Sequence, residues 1–339
     1  MICWLPPLDL SKSWWDRNSI KGMSIGGKAA AVIGDFNFYS AIAPTVVYAN
    51  KKLMQDYGFG DLYQTAREGK WTWDIMHELA RAAAKDLNGD GVISKEDQVG
   101  LAMSYWHLEP AITCARTYIT PKNSGDIPEY APDNGRIADI TSKVVAISKD
   151  KSSTMVSEDV NAGYGNVFFE LLLPKFINNE ILFNFSQLQA LFDLRNMDAD
   201  FAILPFPKYD ENQENYGSIV QGWWGTFTVI PITCADIDKT ANILQALGYY
   251  SQQYVTHAYY DVTVTNKLIR DEGTAEMMDI ILNNRVFDLS YFYRGGGMDN
   301  VIFEIASKGQ PDTIVSQFEK NENRIKSAIQ KTLDELEIN

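Results

Sequence analysis

The segment Asp200–Pro231, DFAILPFPKYDENQENYGSIVQGWWGTFTVIP, decides how the chain is read. A short apolar run, Phe201–Leu204, is cut by Pro205 and Pro207. A hydrated stretch follows, Lys208–Tyr216, then Gly-Trp-Trp-Gly, then the β-branched run Thr226–Ile230. Two strand-like pieces joined by a proline-punctuated connection describe a chain leaving one packed unit and entering another. The paired indoles Trp223 and Trp224 sit where such a crossing faces a cleft. The expectation is a two-lobed binder of a small polar ligand, a sugar.

The totals fit that expectation. A length of 339 residues is enough for about two domains. Asp and Glu number 44 against 30 Lys and Arg, a net charge of −14, which argues against nucleic acid or an anionic membrane as partner. Eight Trp and 17 Tyr make the chain rich in flat apolar faces with a polar edge, which suit pyranose rings as well as cores. Three cysteines, Cys3, Cys114 and Cys234, are too few and too scattered for a disulfide framework or a metal-site spacing. Only Met1 and Ile2 precede Cys3, which leaves no room for an apolar signal core and makes it an ordinary thiol.

Local signals place several elements. Ala29–Ile33 and Thr45–Tyr48 read as short buried strands, and Asn50–Tyr57 as a helix stopped by Gly58. Thr72 is a helix N-cap, with Trp73, Met76, Leu79 and Ala80 on one face, so Trp71 and Trp73 read as core anchors. Ser186 is expected to cap a helix from Gln187 to about Asn196, and Asp236 one that runs to Gln252. Helices are also expected over Thr274–Asn283 and in the charged tail Glu304–Leu336. Gly295–Gly297 reads as a flexible turn and not a phosphate loop, because neither a Lys-Ser/Thr pair nor G-x-G-x-x-G spacing accompanies it.

The loop Asp86–Asp97, DLNGDGVISKED, fits the pattern D-x-[DN]-x-[DN]-G. Asp86, Asn88, Asp90, the Val92 carbonyl and Asp97 are the candidate oxygen ligands of a structural calcium ion. Position twelve is Asp, so bidentate closure needs a shorter reach; a polar Asn-Gly/Asp-Gly turn between a helix and a strand is the competing reading, and flanks that are no clear helix pair argue against a calcium sensor. No other cofactor is required. The histidines His77, His107 and His257 form no metal pattern, and no G-x-S-x-G elbow occurs.

Several segments in order resemble the family 1 extracellular solute-binding proteins of carbohydrate ABC transporters, the group that includes maltose-binding protein. They are Leu8–Asp16 (LDLSKSWWD), Gly26–Asp35, Val46–Gly58, Gly69–Ala80, Asp86–Leu101, Asp198–Tyr216 and Arg270–Leu289. The resemblance implies an α/β, two-lobed periplasmic-binding-protein-like fold of type II. Lobe one would hold residues 1–36 and 217–296, and lobe two 37–216 and 297–339, with the chain leaving lobe one again near Gly295–Gly297. In that family a signal peptide, a lipid-attached cysteine and the first β-α-β units precede the segment matched by Leu8–Asp16. The resemblance therefore implies a lobe one incomplete at its N-terminus and lacking a quarter to a third of the usual chain. It also implies a monomer, extracellular or lipid-anchored at the cell surface, that passes a carbohydrate to permease subunits. Ligand contacts would fall at Asp35 and Phe36, Tyr105 and Trp106, and Phe183 and Phe185, with Trp223 and Trp224 added from their placement. A carbohydrate-active enzyme on a similar scaffold is the alternative.

Overall fold

A computed structural model describes residues 2–3, 8–220, 225–259, 271–292 and 295–338 of the chain. Its strands are β1 (Ile2–Cys3), β2 (Thr45–Asn50), β3 (Val99–Met103), β4 (Thr154–Val156), β5 (Ile181–Gln187), β6 (Phe201–Leu204), β7 (Ser218–Ile219), β8 (Ile230–Pro231) and β9 (Arg285–Val286). Five of them form one sheet in the order β4-β3-β5-β2-β6, with β3, β4 and β5 parallel and β2 antiparallel to both its neighbours.

That sheet is buried on both faces, so its strands are apolar runs and not alternating ones. Along β2, Val47 and Ala49 enter the core on one side while Val46 and Tyr48 enter the core on the other; β6 splits the same way, with Ala202 and Leu204 opposite Phe201 and Ile203. The helix Trp73–Ala83 starts as its sequence requires, with Thr72 accepting from the amide of Ile75. It lies so close on β3 that a Cβ on Gly100 would stand 2.0 Å from the Ala80 carbonyl oxygen; only glycine fits there. Trp71 and Trp73 are core anchors: both are buried, and the Trp71 indole donates to the Pro205 carbonyl at 2.9 Å.

The other lobe is thinner. Two smaller clusters carry it, one around Leu8, Trp15, Val32 and Ile230, the other around Met23, Ile25, Ile33, Val220 and Phe287. Its regular pairing is sparse: β1 lies antiparallel to β8, and Val32 bridges Thr228. Ala29–Ile33 and Thr226–Ile230, expected as full strands, are therefore single bridges and a two-residue ladder. Val32, Ile33 and Ile230 are buried while Thr226 and Val229 are exposed, and no long partner lies alongside them among the described residues.

Three segments run side by side between the lobes. Pro44 bridges Val220, and β7 is parallel to β9. The chain thus re-enters lobe one at Arg285–Val286, ahead of Phe287 and Leu289 in its core, a crossing not expected from the sequence. Gly296 and Gly297 are both left-handed, at φ 70° and 64°, and open the helix Met298–Lys308. The helix Glu272–Asn283, capped by Asp271, packs on β6 and the helix Leu62–Arg67, so it sits with the five-stranded sheet although the 217–296 boundary would give it to lobe one. Ser186 caps nothing: β5 runs on to Gln187, and a single 3-10 turn leads into the short helix Leu191–Leu194. The long helix Ile314–Glu335 begins on the sheet lobe with Ile314, Phe318 and Ile325 and ends with Leu333 against the Met23–Phe287 cluster of the other. Among the described residues no helix is long and apolar enough to cross a membrane.

Candidate ligand-binding cleft

The carboxyl ends of β3, β4 and β5 open onto a cavity of about 530 Å³. This is the edge of an α/β sheet at which ligands bind, because side chains from loops of different strands converge there. Met103 ends β3 and Ser104 follows it, Ser157 follows β4, and Phe185, Ser186 and Gln187 close β5. Phe168 and Leu172 form a wall, and Tyr291, Phe292 and Asp299 come from the segment after β9.

Ser104 caps a 3-10 turn, Tyr105–His107, whose third residue supplies the reciprocal acceptor. The Ser104 amide donates to His107 Nδ1 at 3.0 Å, and the Ser104 hydroxyl accepts from the Trp106 amide at 3.1 Å while donating to Glu158 at 2.5 Å. Burial pushes the His107 imidazole down to about 3. It is therefore neutral, with Nδ1 as acceptor and its proton on Nε2. The His107 ring lies on Phe185 at 4.6 Å between centroids, and Trp73 and Phe206 hold the other sides of Phe185 at 5.4 and 5.1 Å. Trp106, half-buried, stacks on Phe303 at 4.3 Å and 26°. Ser186 is 4% exposed, and among the described residues nothing hydrogen-bonds its Oγ. A buried hydroxyl left so is costly unless a ligand completes it.

Of the residues expected at the site, the structure brings Trp106 and Phe185 to this cavity. Tyr105 lies behind it: its hydroxyl donates to Asp159 at 2.9 Å and receives Lys149 Nζ at 2.6 Å. Phe183 is fully buried against Trp71, centroids 5.5 Å apart, and does not line this cavity. Asp35 lines a different cavity of about 490 Å³ with Trp15, Asp16, Asn37 and Arg285. Burial pushes the Asp35 carboxyl up to about 6, against hydrogen bonds from the Thr256 and Gln252 side chains. Phe36 packs edge-on against Trp15 at 5.8 Å and lines neither cavity. Trp223 and Trp224 lie outside the described residues. Missed from sequence were His107, Glu109, Ser186, Gln187, Tyr291 and Asp299. For His107 a signal existed, a histidine three residues after a capping serine.

The Asp86–Asp97 loop is held by its own amides. Asp86 accepts from Gly89 and Gly91 at 2.7 and 2.8 Å, and Asp90 from Val92 at 2.8 Å, while the Asn88 side chain donates to Asp90 at 3.0 Å. Asp97 Oδ1 takes the Leu87 amide, and Oδ2 takes the Ser94 amide and hydroxyl, at 2.8 to 2.9 Å. Burial opposes ionisation of Asp97, but these donors outweigh it and hold its carboxyl below the usual range. One donor on Oδ1 and two on Oδ2 leave a cation at Asp97 to share or displace these bonds. Among the described residues no three His, Cys, Asp or Glu side chains converge as a metal site.

No protein-family model and no curated protein matches the sequence. Solved structures match over the whole chain. The sugar-binding protein MalE from Xanthomonas citri superposes with a TM-score of 0.63 at 13% identity, covering 99% of this chain and 81% of that one. The chain adopts the two-lobed periplasmic-binding-protein fold. UgpB from Mycobacterium tuberculosis, in complex with glycerophosphocholine, gives 0.62 at 13% identity over 98% of this chain and 80% of its own. The MalE domain from Bdellovibrio bacteriovorus, bound to maltotriose, gives 0.58 at 13% over 98% and 80%.

Proposed function

We propose that the chain is the extracellular solute-binding component of an ABC importer, taking a sugar or oligosaccharide into the cavity at the ends of β3–β5 and delivering it to permease subunits. The observation that carries this reading is the pairing of the Trp106 face with the buried, unanswered Ser186 hydroxyl in one cavity. An indole stacks on the apolar face of a pyranose, and a fixed hydroxyl reads one of its edges. The fold supports the same reading, since the superposed proteins are binding proteins and include forms bound to maltotriose, maltotetraose and cycloalternan. Closure of the lobes about the β7–β9 ladder would exclude water from the bound ring.

The reading includes a monomer anchored at the cell surface. Asp35 is proposed as a further contact once the lobes close, as are Trp223 and Trp224, which lie outside the described residues. Glu109 and Asp299 both line the cavity, so the test must also look for turnover. Calorimetry against a panel of neutral oligosaccharides, with product analysis, decides: one-to-one binding with unchanged ligand supports a carrier, and hydrolysis or no binding overturns it.

A further inference from the structure

A third cavity, of about 290 Å³, is enclosed by three segments remote in sequence. The helix Arg17–Met23 supplies Asn18, Lys21 and Gly22. The loop from the sheet lobe supplies Arg116, Tyr118, Thr120 and Lys122, and the hinge strand with its continuation supplies Arg285 to Leu289. Four of these side chains are basic, in a chain whose net charge is −14.

Two of the four are neutralised. Arg285 pairs with Asp16, and Lys122 pairs with Asp126 at 2.9 Å while also donating to the Lys21 and Ser24 carbonyls. The Arg116 guanidinium lies near the Tyr118 hydroxyl, and among the described residues neither Arg116 nor Lys21 has a carboxylate at ion-pair distance. Asp288 is the carboxyl on the cavity wall; burial pushes it up to about 6, so it opposes an anion least below that pH. Arg116 also holds a left-handed backbone at φ 57°, a conformation rare for a long side chain, at the position that brings its guanidinium to this wall.

We propose that this cavity binds a small oxyanion, a phosphate or the phosphoryl head of a phosphomonoester, held by Arg116 and Lys21. The planar guanidinium matches two phosphate oxygens at once, and the lysine adds a point charge. The hydroxyls of Tyr118 and Thr120 and the amide of Asn18 serve the remaining oxygens. The walls come from both lobes, so the anion adds a contact that spans the hinge. This site is separate from the sugar cavity and does not depend on that assignment.

The test is thermal unfolding of the whole chain in sodium phosphate, sodium sulfate and glycerol phosphate, each against sodium chloride at matched ionic strength. Phosphate at about 10 mM is expected to raise the melting temperature by about 2 °C beyond chloride, saturably. Glycerol phosphate above phosphate names an ester as the ligand; equal rises name the phosphoryl group alone. Arg116→Asn suits the left-handed backbone and keeps the fold, and it is expected to abolish the rise, while Lys21→Gln weakens the apparent affinity about fivefold. Lys308→Gln, which breaks an exposed pair with Glu304, serves as the control and retains the rise. A rise no larger than chloride gives, or one that persists in Arg116→Asn, overturns the proposal.

Discussion

The amide of Ser104 donates to Nδ1 of His107, and this one bond sets the tautomer of a ring on the cavity wall. A histidine that accepts at Nδ1 presents a donor at Nε2, and burial keeps it neutral throughout the physiological range. Solute binding is therefore expected to be flat between pH 5 and 8 as far as His107 is concerned. His107→Gln keeps an acceptor for the Ser104 amide and is expected to hold stability near wild type. His107→Phe keeps the ring but strands that amide, a loss of about 1–2 kcal/mol in denaturant melts. Equal stability of the two variants would sink the capping role.

Ser186→Ala separates stability from binding. The hydroxyl has no partner among the described residues, so its removal is expected to leave the melting temperature unchanged or slightly raised. If a bound solute completes that hydroxyl, affinity falls about tenfold in calorimetry. Unchanged affinity would mean that Ser186 does not read the ligand.

Trp106 and Phe183 are expected to behave oppositely. Trp106→Ala removes a half-exposed stacking face and should abolish measurable binding while the fold persists. Phe183→Ala opens a hole in a fully buried contact with Trp71 and should cost about 3–5 kcal/mol of stability. Destabilisation by the Trp106 variant as large as that by Phe183 would reverse the assignment.

Asp97→Ala is expected to cost about 3 kcal/mol, because three donors around a buried carboxylate lose their acceptor. The loss should be the same in calcium and in EDTA. A chelator-dependent difference in the wild-type melt would restore the metal reading of the loop.

Asp288 gives a pH dependence of defined sign. Burial pushes its folded carboxyl up to about 6, above the ordinary carboxylate value, with the Ser290 amide and hydroxyl opposing the shift. The folded form binds its proton more tightly, so the contribution is full below the unfolded value and is lost as pH rises through about 6. Asp288→Asn should therefore exceed wild type by about 1–2 kcal/mol at pH 7.5, with the gap closing by pH 4. Urea melts at both values check it; a gap that widens on acidification contradicts the assignment.

The elements that could be read from sequence were those set by near neighbours. Thr72 with its Trp73-Met76-Ala80 face, Asn50 ahead of Lys51, and Asp236 ahead of its helix each specify a local start, and each is found there. Phe201–Leu204 was legible because both its sides are buried. Ser186 misled because a capping serine and a strand-ending serine look alike until the pairing of β5 with β2 is known. The cavity was half legible. Trp106 and Phe185 carried an aromatic signal, whereas Tyr291 and Asp299 reach the same space only through the path of the chain after β9. Nothing in their own neighbourhood distinguishes them from surface residues.

The helix Ile314–Glu335 is about 33 Å long by its residue count. Because its two ends are packed on different lobes, it is a strut, and hinge rotation must either bend it or release its last turn. Leu333 and Leu336 would then come off the Met23–Phe287 cluster first, exposing their backbone to protease. The cleavage rate near the carboxyl end is thus a gauge of lobe angle that needs no ligand, label or second conformation to read.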